Sequence, residues 1–228
     1  MVKQLYLPFL RSNLGGRRPG AGRPRLHPVP GLRGPGVPHR RRPSFERRSV
    51  LHVTLRLRAG LPSLRSGRVF RLLRGLLSEA RERLGLRLVH YSVQSNHVHL
   101  LVEADDGVAL GRGMRGLCTR LARRINGFLR RRGPVLADRY HARLLKTPRE
   151  VRLALQYVLN NARRHGLRLP PGSADPCSTG PWFDGWVEGR PNCPARESPP
   201  VAPPQSWLLS VGWRKHGLLS VDFRPGGA

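Results

Sequence analysis

From Leu86 to Ala104 apolar and polar residues alternate on either side of a short polar break, Gln94-Ser95-Asn96. A period of two marks strands, and a break this short commits the two runs, Leu86 to Val93 and His97 to Ala104, to an antiparallel hairpin. The second run reads His97-Val98-His99-Leu100-Leu101-Val102-Glu103. Successive strand side chains point to opposite faces, so Val98, Leu100 and Val102 share one face and His97, His99, Leu101 and Glu103 the other. Burying the valine face leaves two imidazoles side by side, a spacing that suits one metal ion. On spacing alone the pair also fits two ordinary surface histidines.

The neighbouring segments supply the rest of a fold. Val50-Leu51-His52-Val53-Thr54-Leu55-Arg56-Leu57 alternates as a strand, with Val53, Leu55 and Leu57 inward and His52, Thr54 and Arg56 outward. Apolar residues recur at helical spacing from Ser66 to Leu84, where Gly85 closes the helix, and again from Val108 to Arg131. A strand is expected over about Tyr140 to Lys146. Thr147-Pro148 then opens a last helix, with Glu150 in its first turn, running to about Arg164 before Gly166. The order β-α-β-β-α-β plus one helix is that of an α+β, ferredoxin-like split βαβ fold. Its antiparallel sheet carries both long helices on one face, and the other face, bearing the histidines, is expected to be open.

Charge narrows the partner. The 228 residues include 42 Lys+Arg against 13 Asp+Glu, a formal net charge of +29. A codon preference explains why all but Lys3, Lys146 and Lys215 are arginine, but not the shortage of acids. Such an imbalance points to a polyanion, nucleic acid first among them. Residues 1–48 are read as a disordered Gly/Pro/Arg-rich basic arm, 49–168 as the folded domain, and 169–228 as a Pro/Gly-rich extension. Arg17, Arg18, Arg23, Arg25, Arg40, Arg41 and Arg42 in the arm, and Arg120, Arg123, Arg124 and Arg143 in the domain, are the candidate phosphate contacts. The extension holds two aromatic islands, around Trp182 to Trp186 and Trp207 to Trp213, read as packing segments rather than base-stacking platforms, because neither interleaves aromatics with basic residues. Cys118, Cys177 and Cys193 are odd in number and lack CxxC spacing, which fits a reducing cytosol rather than a disulfide framework. The opening ten residues lack a signal-peptide core, and no run of about 20 apolar residues would span a membrane.

A second group of chemistry-bearing residues lies in the last helix, where Tyr157 and Asn161 are four apart and share a face. A phenol with a pKa of about 10 is a poor nucleophile unless the atom it attacks is polarised. Asn161 offers an amide oxygen as a third ligand beside the histidines. Spacing alone equally allows Tyr157 to pack its ring at the core edge with its hydroxyl in water.

Four segments in this order resemble the single-tyrosine HUH transposases, and among them the REP-associated tyrosine transposases: His52-Val53-Thr54-Leu55-Arg56, Ser95 to Val102, Asp138-Arg139-Tyr140-His141-Ala142-Arg143, and Tyr157-Val158-Leu159-Asn160-Asn161. The resemblance runs from about Val50 to Gly166. It implies that His97, His99 and Asn161 hold a divalent ion, Mg²⁺ or Mn²⁺, and that Tyr157 is the nucleophile. It also implies single-stranded or hairpin DNA as substrate, a 5′-phosphotyrosine intermediate, a cytoplasmic bacterial setting at the nucleoid, and a homodimer as an allowed assembly. Ala162 stands where that family usually has Pro; since Pro within a helix lowers helix stability, this departure leaves the chemistry intact. A hairpin-binding regulator without activity, and a replication or mobilisation nicking enzyme, are the alternatives.

Overall fold

The computed structural model describes residues 44–189, 191 and 198–226. The arm arginines from Arg17 to Arg42, and Cys193, lie outside the described residues. Within them the order is β1 (Ser49–Arg56), α1 (Gly67–Glu79), β2 (Glu82–Arg83), β3 (Leu86–Val93), β4 (His97–Ala104), α2 (Gly107–Phe128), β5 (His141–Leu145), α3 (Pro148–Leu159) and α4 (Asn161–Arg164). Two single-turn 3₁₀ segments, Gly180–Trp182 and Gly212–His216, flank a short α5 (Trp207–Ser210). One sheet, with order β2-β3-β4-β1-β5, is antiparallel throughout. The α+β split-βαβ fold expected from the periodicities is therefore present.

Helix α1 ends earlier than its apolar spacing suggests. Leu84 and Gly85 both have positive φ, 54° and 76°, and form a two-residue turn that pairs Glu82 and Arg83 with Arg87 and Leu86. Positive φ at both central positions matches the twist of a hairpin, so the residues after Glu79 become a strand instead of a last helical turn. At Gly85 a side chain would in addition meet Asp105 Oδ2 at 2.7 Å.

One face of the sheet buries Leu51, Val53, Leu55, Val98, Leu100 and Val102 under α1 and α2, whose inward residues include Leu73, Leu76, Met114 and Leu121. The opposite face corrects the expectation of an open surface. Leu101 and Val89 there pack against Leu155, Val158 and Leu159 of α3, joined by Phe183, Trp186 and Trp213 from beyond residue 169. Trp186 and Trp213, the last aromatic of each island, are enclosed, which agrees with packing, whereas Trp207 is 50% exposed. Consequently every residue of β4 is buried, the histidines among them. The cause is the apolar stripe of α3, which needs a partner and finds it on the sheet.

A full capping box, Thr147 with Glu150, starts α3 with Pro148 in the first turn. The single helix expected to about Arg164 is interrupted at Asn160. There the Asn160 amide donates to Ser220 O at 3.0 Å, and Arg163 donates to Val221 O and to Asp222. These bonds tie the α3–α4 junction to the C-terminal segment.

Candidate functional site

Strand register builds the site. Pairing of β1 with β4 sets Thr54 opposite His99 and Arg56 opposite His97. His52, two residues before Thr54, lies on the same face. Its Nε2 stands 3.0 Å from His99 Nδ1, and Thr54 Oγ1 is 3.2 Å from that same nitrogen. The His97 and His99 ring centroids are 4.9 Å apart, and His97 Nδ1 is 2.9 Å from Asn96 Oδ1 in the hairpin turn. From the other side α3 brings Tyr157, whose ring centroid is 5.2 Å from His99 and 5.8 Å from His52. The Arg164 guanidinium lies 5.2 Å over the tyrosine ring, and His165 is 5.1 Å from His97. His52, His99, Arg143, Tyr157 and Arg164 line a common cleft of about 520 Å³.

Burial, reinforced by neighbouring positive groups, pushes His52 and His97 down to about 4 and His99 to about 2; burial also lowers His165. Near neutral pH the rings are uncharged and keep a lone pair each, the state in which imidazole binds a metal. Among the residues singled out for this site, His99 Nε2 and both amide atoms of Asn161, fully enclosed one turn after Tyr157, are buried without a hydrogen-bond partner. An unpaired buried acceptor is costly, and such atoms call for a ligand. His99 Nε2 and Asn161 Oδ1 are each of a donor type that binds divalent cations. Among the described residues no group of three or more His, Cys, Asp and Glu is arranged for a metal.

Of the residues singled out in the sequence, His97, His99 and Tyr157 come together. Arg143 reaches the cleft, where it pairs with Glu150 at 3.1 Å. Arg120, Arg123 and Arg124 belong to α2 on the far side of the sheet, and Arg124 pairs with Glu79 at 2.5 Å. Glu103 is no neighbour of a ligand site: it is buried and accepts from the backbone N–H of Gln205 and Ser206. Sequence reasoning missed His52, Thr54, Arg164 and His165 as members of the cluster. The outward position of His52 on β1 was the available signal; its neighbour could be named only once the register was known.

A family model described as "Transposase IS200 like" matches residues 47–161, from just before β1 to the first residue of α4. The chain belongs to the IS200-like transposases. The match encloses His52, His97, His99, Tyr157 and Asn161. Among solved structures, the REP-associated tyrosine transposase bound to a REP hairpin is similar to this transposase-family chain at 15% identity. That similarity has a TM-score of 0.51 and covers 63% of this chain and 82% of that one, which shows a shared fold. A protein from Deinococcus radiodurans R1 assigned as a transposase aligns at 19% identity and a TM-score of 0.37, over 50% of this chain and 86% of that chain. No curated protein matches the chain.

Proposed function

We propose that this IS200-like transposase cuts and rejoins single-stranded hairpin DNA through a covalent bond to Tyr157. The observation that carries the reading is the approach of the Tyr157 ring to within 5.2 Å of His99, a histidine whose Nε2 is buried and unpaired. The Tyr157 oxygen attacks phosphorus, the new O–P bond makes a 5′-phosphotyrosine, and the bond to the 3′ oxygen breaks. The phenol proton passes to solvent, and the departing 3′ oxygen takes a proton from solvent to become a free 3′-hydroxyl. A second strand's 3′-hydroxyl reverses these steps, so rejoining conserves the phosphoester and requires no nucleotide triphosphate. His97, His99 and Asn161 would hold Mg²⁺ or Mn²⁺, which when bound would supply Lewis-acid polarisation of the scissile phosphate. Arg164, over the tyrosine ring, and Arg143, at the cleft wall, bring positive charge to where phosphate charge accumulates.

The same reading divides the chain into a basic arm at 1–48 that contacts DNA phosphates, the HUH domain at 49–168, and the extension at 169–228. Incubation with a single-stranded hairpin and Mn²⁺, followed by denaturing electrophoresis, tests the function. A covalent adduct should form with the natural chain and disappear in Tyr157→Phe. Tight hairpin binding without any adduct, unchanged by Tyr157→Phe, would instead leave a regulator that binds and does not cut.

A further inference from the structure

A metal-binding imidazole must leave one nitrogen bare and hold its proton on the other, and a partner at the protonated nitrogen sets which is which. At His99 the two nitrogens differ sharply. Nε2 has no partner, while Nδ1 lies 3.0 Å from His52 Nε2 and 3.2 Å from Thr54 Oγ1. We propose that His52 is a positioning residue: its Nε2 accepts a hydrogen bond from His99 Nδ1–H, which presents the bare His99 Nε2 to the metal. This rests on the reading of His99 as a metal ligand.

Two imidazoles can share one hydrogen bond only if one donates and the other accepts. A proton on His99 Nδ1 therefore requires a bare Nε2 on His52, and the neutral His52 carries its own proton on Nδ1. Both rings are then in the same tautomer, fixed by one another. Thr54, opposite His99 in the ladder, is a second acceptor for the same proton and restrains the ring plane from the side. His52 also meets the edge of the Tyr157 ring, with the ring planes at 66°, so one side chain supports the ligand and the nucleophile together.

The choice of imidazole has a physical sense in this position. The commonest orienting partner of a metal-bound histidine is a carboxylate or a backbone carbonyl. A carboxylate would set a negative charge beside a site whose substrate is a phosphate diester. Neutral His52 fixes the tautomer without that charge, in keeping with the positive groups, Arg143 and Arg164, around the same cleft. His97 is oriented equivalently by a neutral group, the Asn96 amide oxygen. Neither histidine thus relies on an acid.

Titration of Mn²⁺ into the purified 228-residue chain without DNA, followed by the spin-resonance signal of the free ion, tests the proposal. His52→Ala should weaken Mn²⁺ binding roughly 10–100-fold. His52→Gln should recover most of the loss, because its amide oxygen stands about as far from the backbone as imidazole Nε2 and can accept the same bond. Nitrogen-15 spectra of the natural chain, which need no variant to fold, should show His52 and His99 protonated on Nδ1. Mn²⁺ binding by His52→Ala equal to the natural chain, where His99→Ala has lost it, would overturn the proposal. So would a His99 ring protonated on Nε2. Failure of the underlying metal reading looks different: His99→Ala would then bind Mn²⁺ as tightly as the natural chain, removing the ligand that His52 is said to orient.

Discussion

Replacing Glu103 by alanine should loosen the C-terminal segment from the sheet. The carboxylate is 1% exposed, accepts from Gln205 N at 3.1 and 3.0 Å and from Ser206 N at 2.7 Å, and lies 3.9 Å from Arg87 Nε. Ser206 caps α5, so these bonds set the start of the stretch that carries Leu209 and Trp213 into the second core. Alanine takes the acceptor from two N–H groups, of exposed Gln205 and half-buried Ser206, and from Arg87 its buried acidic neighbour, leaving it Glu82 and Pro203 O. Hydrogen bonds to a charged group contribute about 1.5–3 kcal/mol each, and with partial rehydration of the donors the loss of the two comes to about 3–5 kcal/mol. For a chain of this size each kcal/mol moves the melting midpoint by roughly 2–4 °C, so the fall should be roughly 6–20 °C. Glu103→Gln, which keeps one acceptor oxygen, should cost about 1–3 kcal/mol. Urea unfolding measures both, and limited proteolysis should cut Glu103→Ala first in residues 198–226. A loss below about 1 kcal/mol for alanine, with unchanged proteolysis, would refute the account of how this segment is held.

Three further outcomes follow from the same geometry. Arg164→Leu should slow formation of the Tyr157 adduct about 5–30-fold, the equivalent of a partly buried cation–π contact, as read by single-turnover cleavage; an unchanged rate refutes the role. Stability should fall as pH drops from about 6.5 towards 4, because the unfolded chain takes up protons there that His52, His90 and His97, held at about 4, and His99, at about 2, refuse in the native state. By linkage each of the four rings contributes about 2 kcal/mol over that interval, together enough to unfold a domain of ordinary stability, read by denaturant midpoints at pH 7 and pH 4.5, and a flat profile contradicts it. Gly113→Val should destabilise by about 1–3 kcal/mol, whereas Gly75→Ala should stabilise by about 0.5–1 kcal/mol. The difference arises because a Cβ at Gly113 meets Leu86 Cβ at 2.5 Å and one at Gly75 meets nothing within 4 Å, which thermal melts resolve.

How much of this was legible beforehand depended on whether the signal was local. Alternation disclosed β1, β3 and β4, and turn chemistry disclosed their hairpin and the cap at Thr147, because each is decided by neighbours in the chain. The second core was not legible: Phe183, Trp186 and Trp213 come from Pro/Gly-rich segments without a period, and only their docking against α3 gives them a face. The open face was expected for that reason. His97, His99 and Tyr157 could be singled out by residue type and spacing, but the partnership of His52 with His99 depends on a pairing between strands more than 40 residues apart in sequence. The break at Asn160 likewise answers to Ser220 and Val221, far along the chain.

Burial of β4 on both faces also sets how the site can move. A central strand whose every side chain is enclosed exchanges its amides only when the domain unfolds as a whole, so His97 and His99 form a fixed platform. Tyr157 is mounted differently, one turn before a helix break that is tied down through side chains of Asn160 and Arg163 to the tail. Val158, Leu159 and Ala162 on either side of the break are buried, so packing and those bonds hold the junction together. The transposase fold thus fixes its histidines through the sheet and Tyr157 through a helix end that the tail holds in place.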